Sequence, residues 1–431
     1  VSDGALRWLV LLLGGVTCGV ALNTQAAGPA TYEFGGHLKT RGTLETFPDN
    51  SVFNALTGSV AKDLNMELRL SFQADKAAWD FKIDGQGLAL YGDTVEYTRE
   101  LSEQAPIFED LFGRFPDDNR RWWNLTDTIE DEDKLAVLGR LDRLSVGYTG
   151  TTASVRFGRQ AISWGNGVIF TPMDIVNPFD PTQVDTEYKA GDDMLYGQYL
   201  RGNGDDIQGA YVVRRNPLTG NVESDQATLA AKYHGFAGAT EFDVLAAWHY
   251  GDALVGVGGS RDFGGAVWRG DLVLSDTDSE GLVVQFVLNT SYSWVWAGKN
   301  FSGSAEYFFN GFGRSDGCYS PECLADSPEL VERIARRQLF SLGRHYLGGS
   351  LTIEMTPLFT LTPNLFWNVG DGSALLQIVT QNSLGDNLVL LGALGVPIGP
   401  NGTEYGGIET ATPGVYFSSD LSLFLQLGWY F

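Results

Sequence analysis

The chain has 431 residues, and its 53 Asp and Glu against 29 Lys and Arg give a formal net charge of −24. So acidic a field excludes nucleic-acid binding through overall charge. With 54 glycines and 12% aromatic residues, and with few long helical patterns, the composition points to a β-rich protein.

Arg7 precedes the apolar run Trp8 to Leu22, and the small residues Ala26, Ala27 and Gly28 follow it. That order is the one of a secretory signal peptide, expected over residues 1–27. Cys18 suggests a lipid anchor, but Thr17 suits that modification poorly and the apolar run continues past it. No later stretch reaches the roughly 18 apolar residues of a spanning helix, so residues 28–431 read as one exported domain.

From there the apolar residues alternate with a period of two. Tyr32, Phe34 and Leu38 oppose Glu33, His37, Lys39 and Arg41. Leu64, Met66, Leu68, Leu70 and Phe72 oppose Asn65, Glu67, Arg69 and Ser71, and Trp79, Phe81 and Ile83 oppose Asp80, Lys82 and Asp84. A β-sandwich strand alternates too. Three features favour a membrane barrel: a leader followed by many alternating segments of about ten residues, polar faces carrying both charge signs as in a wet lumen, and aromatic residues near segment ends, as at Trp248, Tyr250, Tyr292, Trp294, Tyr307 and Phe309. Facing lipid, each Arg or Lys would cost about 2–4 kcal/mol at mid-bilayer, which fixes the register. Lys39, Arg41, Glu67, Arg69, Asp80, Lys82, Asp84 and, farther on, Arg156 are therefore expected to line a pore.

Connections alternate long and short: Phe47 to Asp63, Asp75 to Ala77, Gly92 to Asp133, Gly150 to Thr152, Gly165 to Asp193, Gly202 to Asp205. Continued through the turns near Gly238 and Gly385, the pattern predicts an all-β, antiparallel up-and-down transmembrane barrel of about 16–18 strands. The last run, Leu421 to Phe431, resembles the C-terminal signal strand of bacterial outer-membrane barrels, which ends in an aromatic residue read by the insertion machinery.

The connection after Gly165 holds Val168, Ile169, Phe170, Met173, Ile175, Val176 and Phe179, too apolar to wave in water. Two placements fit: folded into the lumen, or packed over the rim or a neighbouring subunit. In the first, Trp164, Phe170, Pro172, Asp174, Asn177, Pro178, Asp180 and Pro181 form a constriction. Arg159-Gln160, Ser163-Trp164-Gly165 and Asn177 to Pro181 resemble a motif (R-Q-x-x-S-W-G, then N-P-F-D-P) of poorly characterised Gram-negative porin-like barrels. The resemblance implies transport or a surface structural role and names no solute.

Other features carry less chemistry. Asp276 to Gly281 copies half of a calcium loop, but Val287 stands where the bidentate Glu belongs, so a solvated hairpin tip is expected. Asp117 to Leu125 sets two Arg beside two Trp, able to hold a sugar or phosphate or simply to pack within its loop. Asp326 to Arg337 reads as a short helix capped by Ser327, with Arg333, Arg336 and Arg337 solvated or facing lipopolysaccharide phosphates. Cys318 and Cys323 flank a short Pro-containing turn and are expected to form a disulfide. There is no G-x-S-x-G or H-E-x-x-H motif, and no metal or other cofactor is implied. The expected function is a channel for small hydrophilic solutes, in contact with outer-membrane lipid, lipopolysaccharide and the insertion machinery. A structural sleeve or a carrier of hydrophobic compounds is the alternative, and self-association into a homo-oligomer stays open.

Overall fold

A computed structural model describes residues 29–104 and 115–431; the expected leader lies outside them. Nineteen strands share one antiparallel sheet. The first six are β1 (Thr31–Thr46), β2 (Val60–Lys76), β3 (Trp79–Gly92), β4 (Thr126–Glu132), β5 (Leu135–Thr149) and β6 (Ala153–Gln160). Next come β7 (Asp192–Leu200), β8 (Asp206–Val212), β9 (Thr228–Ala237), β10 (Thr240–His249), β11 (Asp252–Phe263), β12 (Ala266–Thr277) and β13 (Gly281–Trp296). Then follow β14 (Lys299–Asn310), β15 (His345–Thr356), β16 (Phe359–Asn368), β17 (Ala374–Gly385) and β18 (Leu388–Ile398). A two-stranded ribbon, β19 (Ile408–Glu409) with β20 (Tyr416–Phe417), precedes the last strand, β21 (Leu421–Tyr430). β21 pairs with both β18 and β1, which closes an eighteen-strand barrel.

Alternation orients the wall. Tyr32, Phe34, Leu64, Leu68, Phe81, Leu423, Leu425 and Leu427 are exposed on its outside, where lipid removes the cost of their contact with water. Their alternating neighbours His37, Lys39, Arg69 and Asp84 are buried inside. Two-residue turns at Ala77-Ala78, Gly238-Ala239, Gly264-Gly265, Ala297-Gly298 and Pro357-Leu358 join strands at one rim. Longer loops gather at the other.

The second long connection is more ordered than its length suggests. After β3 it forms a helix, Asp93–Gln104, and it ends in β4, which hydrogen-bonds β5 from Thr126↔Arg140 to Glu132↔Leu135. The helix Pro328–Ala335 lies in the loop after β14, but its basic end is not solvated: Arg333 is buried on Asp252 and over the Phe312 ring at 4.0 Å, and Arg336 lies 4.4 Å over the Tyr250 ring. Arg337 alone of the three is exposed. The Asp117 to Leu125 cluster packs on itself and the wall, with Arg121 on Asp118 and both Trp rings against Phe157. Cys318 and Cys323 form a disulfide in the same outer loop as the helix.

The seam between the chain's two ends is tight. Phe431 donates its N–H to the Gly36 carbonyl and accepts from the Gly36 N–H, at 3.0 and 2.9 Å. A Cβ at Gly36 would sit 2.2 Å from the Arg69 carbonyl oxygen, whereas one at Gly42 would find its nearest atom at 4.0 Å. Gly36→Val should therefore abolish the compact, heat-modifiable gel form of the refolded barrel, and Gly42→Val should retain it.

Candidate functional site: the loop across the lumen

The connection between β6 and β7, residues 161–191, leaves the wall and lies inside the barrel. It forms two lobes joined at its middle. The first runs outward from the end of β6: the Trp164 indole N–H donates to Gln208 at 2.7 Å, and Asn166 donates to Asp271 and Asp243. Beyond it, the N–H groups of Val168, Ile169 and Phe170 all converge on the Glu306 carboxylate at 2.6–3.1 Å. Phe170 stacks on Phe308. Trp164, Met173, Ile175 and Val176 pack against Met194, Val212, Leu245, Leu254 and Val273 from the inner faces of β7, β8, β10, β11 and β12. Burying each such side chain contributes about 1.5–3 kcal/mol, so this half of the lumen is a packed core.

The second lobe crosses to the opposite wall. There Gln377 donates to the Thr182 carbonyl, Gln426 to Asp185, and Tyr430 to Glu187. Lys39 pairs with both Asp185 and Glu187 at 2.7 Å. The Arg69 guanidinium lies 4.1 Å over the Tyr188 ring, and Arg143 donates to the Lys189 carbonyl.

Between the lobes Lys189 holds Asp174, and its ammonium also reaches the Ile162 carbonyl and the Ser163 hydroxyl. Burial pushes the Asp174 carboxyl up to about 6 in spite of that ammonium, and burial lowers Lys189. Asp185, nearer water, moves the other way: burial opposes the shift, but hydrogen bonds from Lys39 and Gln426 hold its carboxyl below the ordinary range.

The two sequence motifs are the roots and hinge of this loop. Gly165 has φ 96, and a Cβ there would meet Met173 Cβ at 2.9 Å, so only glycine fits without strain. Asn177 takes the left-handed conformation, φ 49, which Asn tolerates. Asp180 accepts from the Thr182 N–H and hydroxyl, an Asx turn with Pro181 at its centre. Gln160 donates to the Arg156 and Met194 carbonyls.

Arg159 is the root's fixed point. It shares a face with Val155 and Phe157, the lipid side, yet it is fully buried. Its Nε donates to Asp193, Nη1 to Asp118 and the Leu141 carbonyl, and Nη2 to Asp193 and the Trp123 carbonyl. The partner segment covers the gap that the loop leaves in the wall: β4 takes the place of β6 beside β5, and Arg121 bridges to Arg214 just past β8.

The remaining pore candidates stand on the inner faces of β1 to β3 and β6. Glu67 meets His37 and Gln86, Asp80 meets Arg156, and Lys82 lies 3.9 Å from Asp84. Arg69 is buried on Asp84 and Asp142. Lys82 and Arg156 stay exposed in the lumen, whereas Lys39, Arg69 and Asp84 are covered, Lys39 and Arg69 by the second lobe. Glu306, Asp271, Gln377 and Gln426 were not singled out from sequence. Each interrupts the inner face of a late strand with a polar side chain that the loop requires, a signal present in the alternation.

No family model and no curated relative matches the chain. Solved structures do. A BenF-like porin from Pseudomonas fluorescens Pf-5 is 10% identical with a TM-score of 0.53, covering 93% of this chain and 98% of that one. OccAB4 of Acinetobacter baumannii is 7% identical with a TM-score of 0.51, over 93% and 98%. OccK11 (OpdR) of Pseudomonas aeruginosa is 10% identical with a TM-score of 0.50, over 92% and 95%. What the chain shares with these outer-membrane proteins is the eighteen-strand barrel fold.

Burial would raise the Asp118 carboxyl, but the Arg121 and Arg159 charges beside it hold it at about 2. A carboxyl depressed in the folded state gives stability present above its unfolded pKa and lost as pH falls to the folded one. The thermal unfolding temperature of the wild type should therefore exceed that of Asp118→Asn at pH 7, and the difference should shrink between pH about 4 and 2. Parallel curves over that range would remove Asp118 from the anchor.

Proposed function

We propose that the chain is a bacterial outer-membrane channel for the passive passage of small hydrophilic solutes, with the 161–191 loop as its constriction. One observation carries this reading: a closed eighteen-strand wall, lipid-facing outside and charged inside, holds a loop fastened by polar contacts to strands on nearly every side of its lumen. A loop held this firmly sets a fixed width. Passage would follow the wall of β16 to β18, where the loop's described hydrogen bond is the single one from Gln377 to Thr182.

The reading carries with it a leader over residues 1–27, lipid and lipopolysaccharide around the barrel, and entry through the barrel-insertion machinery. It also makes the protein a non-enzyme. The four His serve the wall: His37 on Glu67, His234 on Asp243, His249 on Thr228 and Gln338, His345 on Tyr307.

Planar-bilayer recording of the refolded protein tests the proposal. The wild type should give discrete conductance steps, and deletion of Val168 to Pro181 should enlarge them. A folded barrel that stays silent in both forms would contradict a channel, and equal steps in both would remove the loop as constriction.

A further inference from the structure

Two arginines of the patched wall face away from the lumen. Outward positions along β8 are Ile207, Gly209 and Tyr211, and the alternation continues past its end to Val213 and Arg215. Arg214, between these two, points inward onto Asp192 and Thr228. Segment 119–122 runs antiparallel to this extension, through the Arg121–Arg214 bridge and the Arg215 N–H donated to the Arg120 carbonyl at 2.9 Å. The register therefore sets Trp122 opposite Val213 and Arg120 opposite Arg215, on the outside of the wall. Below them that outside is apolar: Tyr211, Leu229 and Trp248 are exposed, and the Trp122 and Trp123 rings lie on Phe157. β9 has 10 residues, the length with which a tilted strand crosses a bilayer, and its outermost residue, Thr228, pairs with Val212. Arg215 lies beyond that pair, level with the outer lipid headgroups.

Like charges directly opposite one another on paired strands repel. Arg215 makes no ion pair among the described residues, and its buried Nε has no hydrogen-bond partner. The acid nearest to it in sequence, Glu223, is engaged by Asn216 and Thr219 instead. On the other strand Asp118 turns inward to Arg121 and Arg159, and Asp117 accepts from the Asn119 N–H. An anion shared by the two guanidiniums converts their repulsion into attraction, and the oxygens of a phosphate match the planar fork. On a chain of net charge −24, overall composition does not account for a basic pair at this place.

We propose that Arg120 and Arg215 form a site on the outer wall for a phosphate of the outer-leaflet lipid, the phosphorylated head of lipopolysaccharide, with acyl chains lying along Trp122, Phe157 and Tyr211. The site rests on the outer-membrane setting of the function proposed above and is independent of conduction. A lipid held there lies across the segment that covers Arg159 and braces the patched wall from outside. Aromatic rings at the interface and cations at headgroup level are the two contacts such a lipid offers its chains and its head to.

Native mass spectrometry of the refolded protein, released from detergent micelles, tests it with three probes: bisphosphorylated lipid A, the same lipid stripped of its phosphates, and inorganic phosphate. The wild type should retain lipid A saturably and hold the phosphate-free lipid more weakly by roughly tenfold or more. Arg120→Gln and Arg215→Gln should each weaken lipid A retention by a similar factor, and Arg215→Lys by less, in barrels that keep their heat-modifiable migration. Arg261→Gln, exposed on the outward face of β11 near the opposite rim, should retain lipid A as the wild type does, and excess inorganic phosphate should leave the lipid in place. Absence of saturable retention, equal retention of the phosphate-free lipid, wild-type retention in both glutamine variants, or equal loss in Arg261→Gln would each overturn the site. Displacement by inorganic phosphate would overturn the lipid as its occupant. Retention is read here without current. A conducting barrel that retains no lipid A would count against the site alone, and a silent barrel that retains it would count against the channel alone.

Discussion

The arrangement rests on one buried cation. Arg159 sits where β6 leaves the wall, between the segment that patches the wall and the strand that re-enters it, and its donors are filled by Asp118, Asp193 and two carbonyls. A guanidinium on the lipid side would be costly if bare. Breaking one side of such a pair costs about 3–5 kcal/mol, because the remaining charges are left buried without compensation. The loop can dive inward because this cluster lets another stretch of chain close the hole behind it.

Inside the barrel, the two lobes are held by different forces. Apolar burial and the Glu306 cradle fix the first lobe, and dispersed polar contacts fix the second. The Asp174–Lys189 pair joins them in a dry centre. Polar side chains on the inner wall thus divide between those consumed in holding the loop, such as Lys39 and Arg69, and those left exposed in the lumen, such as Lys82 and Arg156.

Much of this was legible in the residues. Alternation at Leu64 to Phe72 oriented the first strands, and the apolar prolines at 172, 178 and 181 marked a loop that had to pack. The period of two reports only which side of a wall a residue faces, so it gave the inner faces of Lys39 and Arg69 without saying that the loop covers them. β4 was legible only as part of the connection from Gly92 to Asp133, because it alternates little and pairs beyond the end of β6, a contact set by closure rather than by local pattern. Arg333 and Arg336 were misjudged for a related reason. Their partners Tyr250 and Asp252 come from the β10–β11 hairpin and Phe312 from the start of the same loop, and nothing in the helix itself announces them. Arg159 fell on the lipid face by parity, which conflicts with its charge, and that conflict was the readable sign of a buried ion cluster.

The most direct measurement is the distance between spin labels at Gln183→Cys in the second lobe and Ala239→Cys in a short turn, read by pulsed dipolar spectroscopy on the folded barrel in lipid. A loop fixed inside the lumen by Arg159 predicts one narrow distribution in the wild-type background, and a longer, broad one when Arg159→Gln is added. A broad distribution in the wild-type background, or an unchanged narrow one in a folded Arg159→Gln barrel, would contradict it.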